Sequence, residues 1–121
     1  MFKLTQERWL AALLLALFAA LATWESLHAS ASYDEPVFIS TGYYQLKTHD
    51  FSLNPTHPPL NNQLSALPLL LMKPQPTFPY DNPDCAARKH WECTEAFVNA
   101  NKERFGQILL LSRLPHIVLG V

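Results

Sequence analysis

Charge is scarce in this chain. Asp, Glu, Lys and Arg make up 16% of its 121 residues, against about 25% in an ordinary soluble domain. No basic excess exists either: nine Lys and Arg against ten Asp and Glu leave a net charge of −1. The electrostatic footprint of a nucleic-acid binder is therefore missing. Only three glycines occur, Gly42, Gly106 and Gly120, too few and too scattered for a P-loop or a dinucleotide fingerprint. There are no internal repeats. What the chain does have is 49% hydrophobic residues, crowded into its first 27 and last 15 positions around a polar, proline-rich middle. Its length allows one domain, and this distribution is that of a membrane protein.

From Trp9 to Trp24 the sequence reads WLAALLLALFAALATW, with Thr23 its one polar residue. Carried to Leu27, the run is about 28 Å of helix, close to a bilayer core of about 30 Å. Trp9 and Trp24 bracket it at headgroup level, and Lys3 and Arg8 precede it, so the positive-inside rule puts the N-terminus in the cytoplasm. Residues 1–28 are thus expected to form one complete transmembrane helix. A cleaved signal peptide is the rival reading, with Ala29-Ser30-Ala31 as the A-x-A site. Both readings send the middle of the chain to the same, non-cytoplasmic side.

Nine of the ten prolines fall between Pro36 and Pro83, which forbids one long helix in the outer loop, residues 29–85. Two short ones fit. Asp34 suits an N-cap, Pro36 a first turn and Glu35 the positive end of the dipole. Val37, Phe38, Thr41, Tyr44 and Leu46 then form an apolar stripe over residues 35–48. Pro58 and Pro59 open a second helix, residues 58–72, with a kink at Pro68. Both are too short to span and are expected to be amphipathic helices at the membrane surface. Residues 73–84 read as a loop. Residues 86–121 return to helix and end in QILLLSRLPHIVLGV, which reads as the truncated start of a second transmembrane helix. The fold class is all-α.

Cys85 and Cys93 lie eight apart on the non-cytoplasmic side. They form a disulfide if the helix breaks near His90-Trp91, since eight helical residues would hold them about 12 Å apart. Free thiols remain open, as does a metal site made with His90, although the spacing matches no zinc motif. His28, His49 and His116 stand alone and carry no assigned role. Asp34-Glu35 is the most suggestive chemical pair. Successive helical residues point about 100° apart, so the two cannot aim at one small centre. One can act as a base while the other binds or orients. The plain alternative is an acidic first turn.

The order of several short elements goes further. Tyr33-Asp34-Glu35-Pro36, Gly42-Tyr43-Tyr44, Asn54-Pro55-Thr56-His57-Pro58-Pro59-Leu60, Ala66-Leu67-Pro68 and Ser112-Arg113-Leu114-Pro115 follow one another. The series resembles the N-terminal part of GT-C superfamily membrane glycosyltransferases, in the group of protein O-mannosyltransferases and lipid A aminoarabinose transferases. The resemblance covers residues 9–121. It implies a multi-pass inverting enzyme acting on the non-cytoplasmic face, and the short loops and lack of an organellar transit signature point to a bacterial inner membrane with its first loop periplasmic. Such an enzyme moves a sugar from a polyprenyl-phosphate carrier to a hydroxyl on an acceptor lipid, glycan or protein. By the same resemblance Asp34 is the catalytic base, and Glu35, His57 and Arg113 are substrate-binding residues. Arg113 would be costly facing lipid, and is expected either to snorkel or to point inward at an anion such as the carrier phosphate. A divalent metal is open for a full-length enzyme, but Thr56 stands where relatives commonly carry an acid, so this loop is not expected to bind one. The 121 residues alone are expected to be inactive. The alternatives are a small non-enzymatic membrane-anchored interaction protein and a secreted, disulfide-bridged module released after Ala31.

Overall fold

The structure, a computed structural model, describes residues 2–74 and 82–120. Most of the 73–84 loop thus lies outside the described residues. Among those described there is no strand. The elements are α1 (Phe2–His28), α2 (Glu35–Thr48), α3 (Pro59–Ala66), α4 (Leu69–Met72), α5 (Pro83–Ala86), α6 (His90–Ala100), a 3₁₀ turn (Lys102–Arg104) and α7 (Phe105–Gly120).

Among the described residues, helix α1 packs substantially against α7 alone. Its segment Thr5–His28 has 24 residues, none of them buried inside the protein, and is long and apolar enough to cross a membrane. At 1.5 Å per residue it measures about 36 Å, more than the hydrocarbon core requires. Leu10, Leu13, Leu14, Leu17 and Leu21 are all more than half exposed, which is tolerable only where lipid or another protein covers them.

Helices α3 and α6 pack on α2, α7 packs on α1 and α3, and α5 packs on α6. The expectation of a surface helix with one apolar stripe is wrong for α2: Val37 and every residue from Ile39 to Gln45 are buried. Helix α3 crosses one side of it so closely that a Cβ on Gly42 would lie 1.8 Å from the carbonyl oxygen of Asn62. No other residue fits at position 42 without moving a helix. On the other side α6 delivers Phe97, fully buried with its ring 6.2 Å from that of Tyr43. There Thr94 shares a buried 2.6 Å hydrogen bond with Ser40. Helices α3 and α4 keep an apolar outer face, Leu60, Leu67 and Leu71.

Three local expectations need correction. Asp34 does occupy the N-cap position of α2, but its backbone is already helical and its side chain makes no cap bond. The helix expected over 58–72 is two helices, because Pro68 has no N–H to continue the ladder and α3 ends at Ala66. The break between the cysteines falls at Ala87–Lys89, where Arg88 takes a left-handed φ of 61°, rather than at His90-Trp91, which open α6.

That break brings Cys85 and Cys93 to a Cα–Cα distance of 4.9 Å, and they form a disulfide. Both sulfurs are thereby consumed, which removes the free-thiol and Cys-His-Cys metal readings. Both cysteines are fully buried in the core with Phe97 and Ile108. Closing a loop this short stabilises by about 2 kcal/mol through the unfolded chain. Replacing both cysteines with serine is expected to lower stability by at least that amount, read as a lower thermal midpoint and its insensitivity to reductant.

Helix α7 returns along α1. Arg113 reaches Ser26, Ala29 and Ser30, while a Cβ on Gly120 would meet the Phe18 ring at 2.8 Å. As α7 advances its contacts on α1 move backward, so the pair is antiparallel. The 16 residues of α7 make about 24 Å of helix. Pro115 sits inside it and removes one ladder bond, to the Leu111 carbonyl.

Candidate functional site

The α1–α2 corner, α3 and α7 converge on one point. Arg113 leaves α7 and inserts between the end of α1 and the start of α2. Its Nε donates to Glu35 Oε1 at 2.6 Å and Nη2 donates to Oε2 at 2.8 Å, a two-pronged pair. Nη1 donates to the carbonyls of Ser26 and Ala29 at 2.8 and 3.0 Å, and Nη2 to that of Ser30 at 3.0 Å. A guanidinium has five N–H donors, and here all five are used. Arg113 is therefore aimed inward, but at an anion of this chain, and in this arrangement keeps no donor for a carrier phosphate.

Glu35 completes the corner by accepting from the Ser32 N–H at 3.1 Å. Burial pushes its carboxyl up, but the Arg113 bonds, the Ser32 N–H and the Arg113 charge outweigh it and hold the group below its ordinary range. Asp50 is lowered too, mainly by its bonds from Ser52. Groups depressed in this way stabilise the fold above the unfolded carboxylate pKa of about 4 and lose that contribution as pH falls through the folded value. The thermal midpoint is therefore expected to drop as pH is lowered from about 5 toward 3. In Glu35→Gln the drop should be shallower, from a lower starting point.

Asp34 precedes this clamp by one residue. Its side chain is exposed and caps nothing, while its carbonyl accepts from Phe38 N–H at 3.1 Å. Adjacent carboxylates thus have different environments: one locked by an arginine, one open. His57 lies in the α2–α3 connection with its ring edge-on to Phe38 at 5.0 Å. Thr56 Oγ1 donates to Asn54 Oδ1 at 2.7 Å, and His57 Nδ1 lies 3.1 Å from Thr56 Oγ1 and 3.3 Å from Asn54 Oδ1. The structure brings together Glu35 and Arg113, 78 residues apart, while His57 touches only Phe38 of the residues that line this corner. Cys85 and Cys93 belong to the core instead.

A cleft of about 250 Å³ opens at the same corner, lined by Ser32, Glu35, Phe38, Asn61, Ser65, Ser112 and His116. Ser65 Oγ donates to the Asn61 carbonyl and lies 3.0 Å from His116 Nε2. His116, without a role in the sequence reading, is thus a wall of this cleft. A signal was present: Ser112 and His116, like Asn61 and Ser65, are four apart and share a helix face. No single-sequence pattern places those two faces opposite each other. Among the described residues, no group of three or more His, Cys, Asp or Glu could hold a metal ion.

Comparison with known protein families, curated proteins and solved structures gives no match.

Proposed function

We propose that this chain is the N-terminal part of an inverting integral-membrane glycosyltransferase, acting on the non-cytoplasmic face of a bacterial inner membrane. The observation that carries the reading, beside the ordered sequence motifs, is the contrast between the two adjacent carboxylates. Glu35 is spent on Arg113, whereas Asp34 is exposed and unspent at the head of a rigidly held helix. A general base needs that combination of free lone pairs and fixed position.

The chemistry is a single displacement. The Asp34 carboxylate takes the proton of an acceptor hydroxyl as its oxygen attacks the anomeric carbon. The bond from that carbon to the phosphate oxygen breaks on the opposite side, and polyprenyl phosphate departs with the electron pair. Phosphate is a good leaving group, so one base can suffice. The acceptor is a lipid, glycan or protein hydroxyl. His57, whose ring meets that of Phe38, is the proposed second substrate contact.

The secreted-module reading fits less well. Cleavage after Ala31 would remove Ser26, Ala29 and Ser30, whose carbonyls take three of Arg113's bonds. The test is transfer itself: membranes carrying the protein in its complete reading frame should move labelled sugar from a polyprenyl-phosphate donor into acceptor. Label incorporation equal to that of membranes lacking the protein would sink the proposal. The 121 residues purified alone should show no turnover.

A further inference from the structure

Helices α3 and α4 turn a row of leucines away from the protein. Leu60 is 67% exposed, Leu67 51% and Leu71 89%. Leu60 and Leu67 are separated by two helical turns and share a face, and Leu71 continues it past the Pro68 break. From Phe51 to Met72 the chain holds no Asp, Glu, Lys or Arg. A helix whose outer face met water would ordinarily carry charged residues on it. Charge resumes at Lys73, which is exposed, and Arg104 stands beside it with Nη2 donating to the Met72 carbonyl at 3.4 Å.

The depth of this face follows from its neighbours. Arg113 of α7 meets Ser26 of α1, and Gly120 meets Phe18. His116 lies between those two points on α7, so it stands opposite the stretch of α1 from Phe18 to Ser26. That stretch is inside Thr5–His28, the segment long and apolar enough to span. Ser65 of α3 lies 3.0 Å from His116 Nε2. With α1 across a bilayer, α3 is therefore set beside the outer half of the span, and a leucine facing outward there meets acyl chains. Leu60 and Leu67 flank Ser65 in the sequence. Farther on, Met72 meets Arg104, which precedes α7, so the chain has risen toward the outer surface by Leu71.

We propose that the Leu60–Leu67–Leu71 face is a lipid-binding surface that holds α3 and α4 in the outer leaflet of the membrane. Leu60 and Leu67 lie among the acyl chains and Leu71 near the headgroups. Lys73 and Arg104 meet the lipid phosphates, as long basic side chains do at a membrane interface. The surface needs α1 to cross the membrane and needs no catalytic step, so it stands or falls apart from the glycosyltransferase reading.

The experiment uses the full-length protein in nanodiscs of phosphatidylcholine and phosphatidylglycerol. A keto amino acid coupled to a nitroxide replaces Leu60, Leu67 or Leu71, one at a time, which leaves the Cys85–Cys93 disulfide untouched. All three positions are exposed, so the labels do not disturb the core. Labels at Leu17 on α1 and Glu95 on α6, both exposed, give the lipid and water references. Collisions with oxygen, which concentrates in acyl chains, are compared with those of a nickel chelate, which stays in water. The oxygen-to-nickel ratio at Leu60 and Leu67 should be several-fold above that at Glu95 and approach that at Leu17, with Leu71 between. A ratio at Leu60 and Leu67 equal to that at Glu95 would overturn the proposal by placing the face in water. Protection from both probes would overturn it too, because protein would then cover the face. Lipid exposure without sugar transfer would keep the surface and sink the enzymatic reading. Transfer by a protein whose leucines meet water would do the reverse.

Discussion

Arg113→Met is expected to lower the thermal midpoint of the protein by about 8–12 °C, the shift that a loss of about 2–3 kcal/mol produces in a chain of this size. The figure follows from what the guanidinium holds. Removing it leaves the Glu35 carboxylate with the Ser32 N–H and strips the Arg113 bond from three carbonyls at the α1–α2 corner. Breaking a fully buried pair costs about 3–5 kcal/mol. The side chains here keep 15% and 20% exposure, so the lower range applies. Arg113→Lys keeps the charge but has three donors on a point and no fork, and should fall between. Because Glu35 and Arg113 act as a unit, the double variant Glu35→Gln, Arg113→Met should cost less than the two single losses added. Additive losses, or an unchanged midpoint in Arg113→Met, would show that the corner is not held this way.

Part of this corner was visible in the sequence. The apolar run from Trp9 announced α1, and Asp34-Glu35-Pro36 announced the start of α2, because membrane thickness and proline's fixed φ are local constraints. The unusual position of Arg113 inside an apolar run pointed to an inward-facing partner. Which anion it meets was not legible, because Glu35 is 78 residues away and the meeting depends on α7 lying antiparallel to α1. Asp34 sits at the N-cap as expected, but the side-chain bond that such a position suggests is absent for a related reason. Capping propensity describes an isolated helix end, whereas here the linker N–H of Ser32 finds Glu35 and α2 starts without a side-chain cap. The burial of α2 on nearly every side was missed because the stripe of Val37, Phe38, Thr41, Tyr44 and Leu46 accounts for one face, and the polar Ser40 and Gln45 lie off it. Close helix crossing at Gly42 and the Ser40–Thr94 bond bury them instead. The cleft was the least accessible feature, since its walls come from three separate stretches of chain.

Asp34→Asn is expected to reduce sugar transfer by about 10²–10⁴-fold, the usual contribution of a positioned general base. Asparagine has nearly the same shape but cannot accept the acceptor's proton. Its effect on folding should stay within about 0.5 kcal/mol, as for a surface residue without partners, because the Asp34 side chain is exposed and caps nothing. Glu35→Gln should behave differently, losing stability together with whatever activity it loses, since Glu35 acts through Arg113.

The most direct measurement is the initial rate of label transfer from a polyprenyl-phosphate sugar donor, comparing wild type with Asp34→Asn at equal levels of inserted, equally stable full-length protein. A loss of at least about a hundredfold with an unchanged thermal midpoint is expected. Near-normal transfer by Asp34→Asn would contradict it.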